Sequence, residues 1–163
     1  MRSQRACYFD DVIVNETTTT RGAVHTLALC IMSELDAIDE VNARFNAFAQ
    51  IHHVPDAARR TFNIAFDDLL NNIVTYAYGG APDQRIDVVI QVAPDCVEAS
   101  LADDGPAFDP FARAAPDIDA DLDERAIGGL GIHLVRTMMD EVTHSRADDR
   151  NVVVLRKYLD TPP

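Results

Sequence analysis

An apolar stripe of helical spacing limits the folds that are open to this chain. Between Pro55 and Ala77 the apolar residues recur every three or four positions, which is the period of one face of an α-helix. The stripe consists of Phe62, Ala65, Phe66, Leu69, Ile73, Tyr76 and Ala77. Pro55 suits a first helical turn, and Gly79 is placed where helices commonly end. The pattern predicts a long amphipathic helix that buries this stripe.

Strand patterns follow this helix along the chain. The segments "RIDVVIQV" and "CVEASLAD" alternate partly between apolar and polar residues and are rich in Val and Ile, which predicts a β-hairpin. Near the carboxyl end, "EVTHSR" and "NVVVLRKYL" predict a second hairpin. Before the long helix, "HTLALCIM" from His25 predicts a strand, although its length alone leaves a buried helix start open.

Two further helices complete the predicted order. Ser33 is a plausible N-cap for a helix whose apolar face consists of Ile38, Val41, Phe45 and Phe48. A third helix is predicted from Leu130 to Met139. The order β-α-α-β-β-loop-α-β-β predicts an α/β (α+β) two-layer sandwich, with helices on one face of a mixed, mostly antiparallel sheet.

Length and composition suggest one domain with an appended arm. The 163 residues fit a single domain. Residues 1–24, which include "NETTTTRG", are polar and predict a flexible N-terminal arm, so that the domain comprises residues 25–163. Residues 103–125 are rich in Asp, Pro and Ala without a sustained period, and they predict a long loop or lid.

Charge excludes several classes of partner. The chain has 14 Lys and Arg residues against 27 Asp and Glu residues, a formal net charge of −13. Nucleic acid and anionic membranes both require a basic face, so neither is an expected partner. The sequence has no apolar run of about 20 residues and no signal-peptide pattern, and we expect a cytoplasmic protein. Its three widely spaced cysteines predict incidental reduced thiols rather than a disulfide framework or a zinc site.

The first of three polar patches lies on the long helix, in "DDLLNN". At about 100° per residue, Asn72 lies at the edge of the buried stripe, with Asp68 one turn earlier on the same side. An amide oxygen and a carboxylate at that edge suit Mg²⁺, its waters and phosphate oxygens. The alternative is a solvated polar flank of an amphipathic helix.

The second patch is "LADDGPAFDP", where a predicted strand ends in a loop. Asp103 at the strand end is suited to accept a hydrogen bond from an exocyclic amine. Gly105 allows a flat ring to approach the backbone closely. The alternative is an ordinary Asp-Gly turn.

The third patch is "GGLGIHLVR", in which glycines come directly before a helix. Free backbone N–H groups and the helix dipole favour an anion at such a helix start, which predicts phosphate binding. The pattern matches neither the dinucleotide fingerprint nor the P-loop. A flexible hinge before the helix is the alternative.

Together, the order and spacing of the three patches resemble those of the GHKL (Bergerat-fold) ATPases, the superfamily that includes histidine kinases. The resemblance extends over about residues 25–158 and rests on "FDDLLNNIVTYAYGG", "LADDGPAFDP" and "GGLGIHLVRTMMDEVTHSR". Within the superfamily, the chain resembles the anti-sigma factor serine/threonine kinases of the RsbW type.

The resemblance implies a role for each patch. Asn72 matches the asparagine that binds Mg²⁺, and Asp68 matches the general base, which is typically Glu in these kinases. Asp103 matches the aspartate that contacts adenine, with Gly105 beside it. The glycine-rich motif near the phosphates falls on Gly129 and Gly131, supported by Gly128 and Leu130.

The implied function is that of an ATP-binding anti-sigma regulatory factor. Such a protein would sequester a sigma factor or an equivalent regulator, and would use ATP and Mg²⁺ to phosphorylate a Ser or Thr of a STAS-domain antagonist. A homodimer is implied as well. Because Asp68 is one methylene shorter than Glu, a nucleotide-binding regulator with weak or no catalysis is an alternative. A detached histidine kinase catalytic domain is a third, although the sequence shows no dimerisation helix pair that carries a phosphoacceptor His.

Overall fold

The computed structural model describes residues 13–19, 22–111 and 130–159. Strands β1 to β6 are Ile13–Thr19, Gly22–Met32, Arg85–Val92, Cys96–Asp103, Glu141–Ala147 and Arg150–Tyr158. Helices α1, α2 and α3 are Asp36–Ile51, Asp56–Asn72 and Leu130–Met138, and a π-helix, Ile73–Ala77, continues α2. None of the helices in these ranges combines the length and the apolar character needed to cross a membrane.

The strands form one antiparallel sheet in the order β1-β2-β3-β4-β6-β5. Alternate residues of the central strands are buried, as in the cross-strand row Leu29, Val88 and Leu101. Their neighbours on the other face, such as Val89 and Ser100, are only half-buried. The period of two therefore gives the sheet one core face and one more open face.

The helices cover the core face, and aromatic rings of α1 and α2 form the centre of the core. The Phe45 ring lies 5.5 Å from that of Phe62 and 5.4 Å from that of Phe66, the latter edge-to-face. All three side chains are fully buried, and burying each contributes about 1.5–3 kcal/mol. The predicted two-layer sandwich with a largely antiparallel sheet is therefore confirmed.

The amino-terminal region differs from the prediction. Residues Ile13–Thr19 pair in register with Gly22–Ala28, so the sheet includes a hairpin where a flexible arm over residues 1–24 was predicted. The interpretation of residues 13–19 and 22–24 as flexible is wrong, because threonine favours extended pairing even where apolar content is low. Residues 1–12 lie outside the described ranges.

Ser33 does not cap α1. The helix begins three residues later, at Asp36, and Ser33 is buried at the end of β2. Its hydroxyl donates to the Ala81 carbonyl oxygen at 2.7 Å and accepts from the Gln84 N–H at 3.1 Å. Ser33 therefore joins β2 to the segment before β3, because these partners satisfy its hydroxyl in place of the helix start.

The prediction of reduced thiols also needs a correction. Cys30 on β2 is disulfide-bonded, and Cys96 at the start of β4 is free. The odd number of cysteines and their wide spacing gave no indication of this bond, because sequence separation does not report distance in the fold.

Candidate functional site

One cavity collects residues from two of the predicted patches. It lies between the end of α2 with its π-helix, on one side, and the end of β4 and the start of β6, on the other, and both Asn72 and Asp103 line it. The other lining residues are Leu69, Ile73, Ala77, Leu101, Phe108, Pro110, Asn151 and Val153. The room it offers to water-sized molecules is about 20 Å³, so the cavity is narrow in this structure. Mostly apolar walls with a few polar groups are typical of a small-molecule site.

Asn72 occupies the point where the long helix changes its winding. The sequence predicts one helix to Ala77, but regular α-helix ends at Asn72 and the next five residues form a π-helix. The Tyr78 N–H closes it by donating to the Ile73 carbonyl oxygen at 3.1 Å. Ile73 and Ala77 line the cavity beside Asn72. Single π turns within helices frequently occur at functional sites.

Asp103 is a buried carboxylate at the end of β4, with 4% of its surface exposed. Its Oδ1 accepts hydrogen bonds from the Gly105 N–H at 2.9 Å and from Asn151 Nδ2 at 3.0 Å. These donors fix the orientation of the carboxyl group.

Gly105 is required by close packing. A Cβ at this position would lie 2.7 Å from Asp103 Oδ1 and 3.0 Å from the Ala77 Cβ. The Asp103 carboxylate and the π-helix occupy the space beside Gly105, and the close approach of a ligand ring to this backbone stays a prediction. Gly105 thus allows the loop after β4 to fold against both neighbours.

Asp68 lies one turn before Asn72 and meets the start of α3. A Cβ on Gly131 would lie 2.5 Å from Asp68 Oδ1 and 2.7 Å from Oδ2, so a glycine there makes room for the carboxylate. Burial raises the pKa of Asp68 above its usual range, and the neighbouring Asp67 raises it further. A raised pKa moves a carboxylate towards the range that suits a general base.

The glycine-rich motif lies only partly within the described residues. Leu130 begins α3 and Gly131 lies in its first turn, whereas Gly128 and Gly129 are outside the described ranges. The amino end of α3 presents backbone N–H groups and positive potential, which suit an anion. The Asp68 carboxylate lies at this helix end.

The residues present fit a magnesium ion that arrives with a phosphate ligand. In the described ranges, no group of three or more His, Cys, Asp or Glu side chains could hold a metal. Asn72 offers an amide oxygen at the cavity, and Asp68 offers a carboxylate one turn away. Mg²⁺ commonly takes one or two protein oxygens and completes its shell with waters and substrate phosphates.

Sequence reasoning missed Asn151 on β6 and Tyr78 after the π-helix. Asn151 is 3% exposed and lines the cavity on the core face, in the alternating series that continues with Val153 and Leu155. A polar residue in this otherwise apolar series was the signal available in the sequence. The Tyr78 hydroxyl donates to the Arg85 carbonyl oxygen and accepts from the Asp104 N–H, and burial raises its pKa to about 12.

The chain is similar to a known family of ATPase domains and to several protein kinases. A family model described as histidine kinase-like ATPase domain matches residues 31–157. The serine/threonine-protein kinase BtrW of Bordetella bronchiseptica is 30% identical over 100 residues, which cover 61% of this chain and 70% of the relative. The serine-protein kinases RsbW of Listeria monocytogenes and Bacillus pumilus are each 33% identical over 59% of this chain. The chain covers just under two thirds of these two relatives, 63% and 62%.

Proposed function

The chain belongs to the histidine kinase-like ATPase domain family, the GHKL superfamily, and from this premise we propose that it binds ATP and acts as a serine/threonine protein kinase of the RsbW type. The observation that carries the proposal is the convergence of Asn72 and Asp103 on one cavity, with Asp68 one helical turn away against Gly131.

In this proposal each residue has a defined task. Asp103 accepts a hydrogen bond from the adenine amino group, and the amino end of α3 with its glycines binds the phosphates. Asn72 donates its side-chain oxygen to Mg²⁺, which when bound neutralises phosphate charge. Asp68 accepts the proton of a substrate Ser or Thr hydroxyl while the hydroxyl oxygen bonds to the γ-phosphorus and ADP departs with the bridging oxygen.

The proposed partners are those that the resemblance to RsbW-type kinases implies. We propose that the protein sequesters a sigma factor or an equivalent regulator and that its phosphorylation substrate is a STAS-domain antagonist. A homodimer and a cytoplasmic location belong to the same proposal. The net charge of −13 suits a partner with a basic face.

Calorimetry tests the nucleotide site. ATP and ADP would be titrated with and without Mg²⁺ into the intact chain, Asn72→Ala and Asn71→Ala. Asn71 is the matched control, because it is exposed and its amide oxygen accepts a hydrogen bond from Thr75. We expect Mg²⁺-dependent binding that Asn72→Ala loses and Asn71→Ala retains. Failure of the intact chain to bind either nucleotide would contradict the proposal.

Phosphate transfer is tested separately. The intact chain would be incubated with γ-labelled ATP and a purified STAS-domain protein, and the stability of the label in acid would be measured. We expect an acid-stable phosphoserine or phosphothreonine. Acid-labile label would instead indicate a phosphohistidine and a histidine kinase.

A regulator with weak or no catalysis is the second candidate. The length of Asp68 favours it, because a carboxylate one methylene shorter than that of Glu reaches less far towards an attacking hydroxyl. Asp68→Glu separates the two candidates in the transfer assay. A large gain in transfer would indicate a decayed kinase, whereas a loss would indicate that Asp68 is the working base.

A further inference from the structure

Asn151 makes an unusually complete set of hydrogen bonds for a buried amide. Its Nδ2 donates to Asp103 Oδ1 at 3.0 Å and to the Pro106 carbonyl oxygen at 2.9 Å. Its Oδ1 accepts from the Phe108 N–H at 3.2 Å and from Arg146 Nη1 at 2.8 Å. The amide nitrogen faces only acceptors and the oxygen faces only donors, which fixes the orientation of the side chain.

These contacts join three strands through a single cross-strand row. Asp103 on β4 is the register partner of Asn151 on β6, and Asn151 is in turn the register partner of Arg146 on β5. Arg146 Nη1 also donates to the Gly105 carbonyl oxygen at 3.1 Å. The row therefore holds both the Asp103 carboxylate and the loop that follows it.

The row divides the two oxygens of Asp103 between protein and cavity. Oδ1 accepts both of the hydrogen bonds described above, whereas Oδ2 has no donor among the described residues. Asp103 and Asn151 both line the cavity. A carboxylate held in this way presents a hydrogen-bond acceptor to the ligand. It disfavours a ligand that places another acceptor there, because the buried carboxylate oxygen would then lose its hydration without gaining a hydrogen bond.

We propose that Asn151, held by Arg146, is a positioning residue that sets the choice of nucleobase at this site. The inference rests on the proposed ATP binding and extends it to residues outside the three sequence patches. Asn151 fixes the Asp103 carboxylate through Nδ2, and Arg146 fixes Asn151 through Oδ1. Selection of a base with an amino group then depends on this row as well as on Asp103 itself.

The test compares ATP with inosine triphosphate, which carries a carbonyl oxygen in place of the amino group. Dissociation constants would be measured by calorimetry for the intact chain, Asn151→Leu and Arg146→Met. Val152→Thr is the control, because Val152 is the next residue of β6 and is register-paired on the opposite face. Thermal unfolding of each variant would be recorded in parallel.

We expect the intact chain and Val152→Thr to prefer ATP, and the preference to fall about tenfold in Asn151→Leu, the size expected when a buried hydrogen bond to a charged group is lost. Arg146→Met should also lower the preference for ATP, but by a smaller factor than Asn151→Leu. If Asn151 had a merely structural role, its substitution would weaken the binding of both nucleotides equally and leave the preference for ATP unchanged. That result would overturn the inference. If the intact chain binds neither nucleotide, the proposed function itself fails.

Asn151→Asp gives a second readout if Asn151→Leu does not fold. The charged groups that face this position in the described residues are Asp103 and Arg146. The introduced carboxyl group, when protonated, can donate to Asp103 Oδ1 as the amide does, but its ionised form repels that carboxylate. The preference for ATP at neutral pH should therefore be lower in Asn151→Asp than in the intact chain. A preference equal to that of the intact chain would contradict the positioning role.

Discussion

Replacing Gly131 by alanine tests how the two helices share the phosphate end of the site. The new Cβ would lie 2.5 Å from Asp68 Oδ1, so the carboxylate would have to retreat by about 0.9 Å to reach an ordinary contact of 3.4 Å. The atoms in contact belong to a side chain that can rotate, and alanine is favoured over glycine inside a helix by about 0.5–1 kcal/mol. We therefore expect little loss of stability.

The cost should appear in catalysis instead. A displacement of about 1 Å in a catalytic group can lower the rate about 10²-fold, and we expect a fall of this order in single-turnover transfer from ATP by Gly131→Ala. ATP affinity should change much less, because in the proposed mechanism Asp68 acts on the attacking hydroxyl. Leu134→Ala is the control, since Leu134 lies on the exposed side of the same helix. Transfer by Gly131→Ala at the intact rate would refute the reasoning.

Three further predictions concern the neighbouring residues. Gly105→Ala places a Cβ 2.7 Å from Asp103 Oδ1, and we expect overpacking to lower the free energy of unfolding by about 1–3 kcal/mol in urea titrations and to weaken ATP binding. Asp68→Asn should abolish transfer yet raise the unfolding midpoint at neutral pH. The raised pKa means that folding disfavours the carboxylate, so stability falls as the pH rises from the unfolded towards the folded pKa of this group. The absorbance titration of the tyrosines should contain one component near pH 12, which Tyr78→Phe removes.

The layers of the fold could be predicted because residues that become buried recur at regular spacings along the sequence. The stripe of the long helix and the alternation in β3 and β4 each repeat over several residues, and both were found where expected, except that Tyr76 in the π-helix is exposed. The first hairpin was not predicted, since Ile13–Thr19 carries no apolar series and its pairing is visible only in the sheet. The π-helix was missed for a related reason, because a single widened turn leaves the apolar spacing almost unchanged.

The candidate site, likewise, could be predicted only in part from the sequence. Asn72 could be placed at the edge of the buried stripe from helix geometry, because Asp68, Leu69 and Asn72 share one helix. The row of Asp103, Asn151 and Arg146 could not be predicted, because its first two members are 48 residues apart and meet only when β6 inserts between β4 and β5. Sheet order depends on the whole chain, and no local pattern encodes it.

The two ends of the site are therefore held by different kinds of structure, and this difference has functional consequences. The end proposed to bind the base is fixed by hydrogen bonds across three strands around the buried Asp103 carboxylate. The end proposed to bind the phosphates depends on the contact of Asp68 with Gly131, which joins two helices through side-chain packing rather than through a hydrogen-bonded ladder. Helices can slide by about 1 Å more easily than paired strands can. Substitutions in the strand row should accordingly alter which nucleotide binds, whereas substitutions at the helix contact should alter the rate at which its phosphate is transferred.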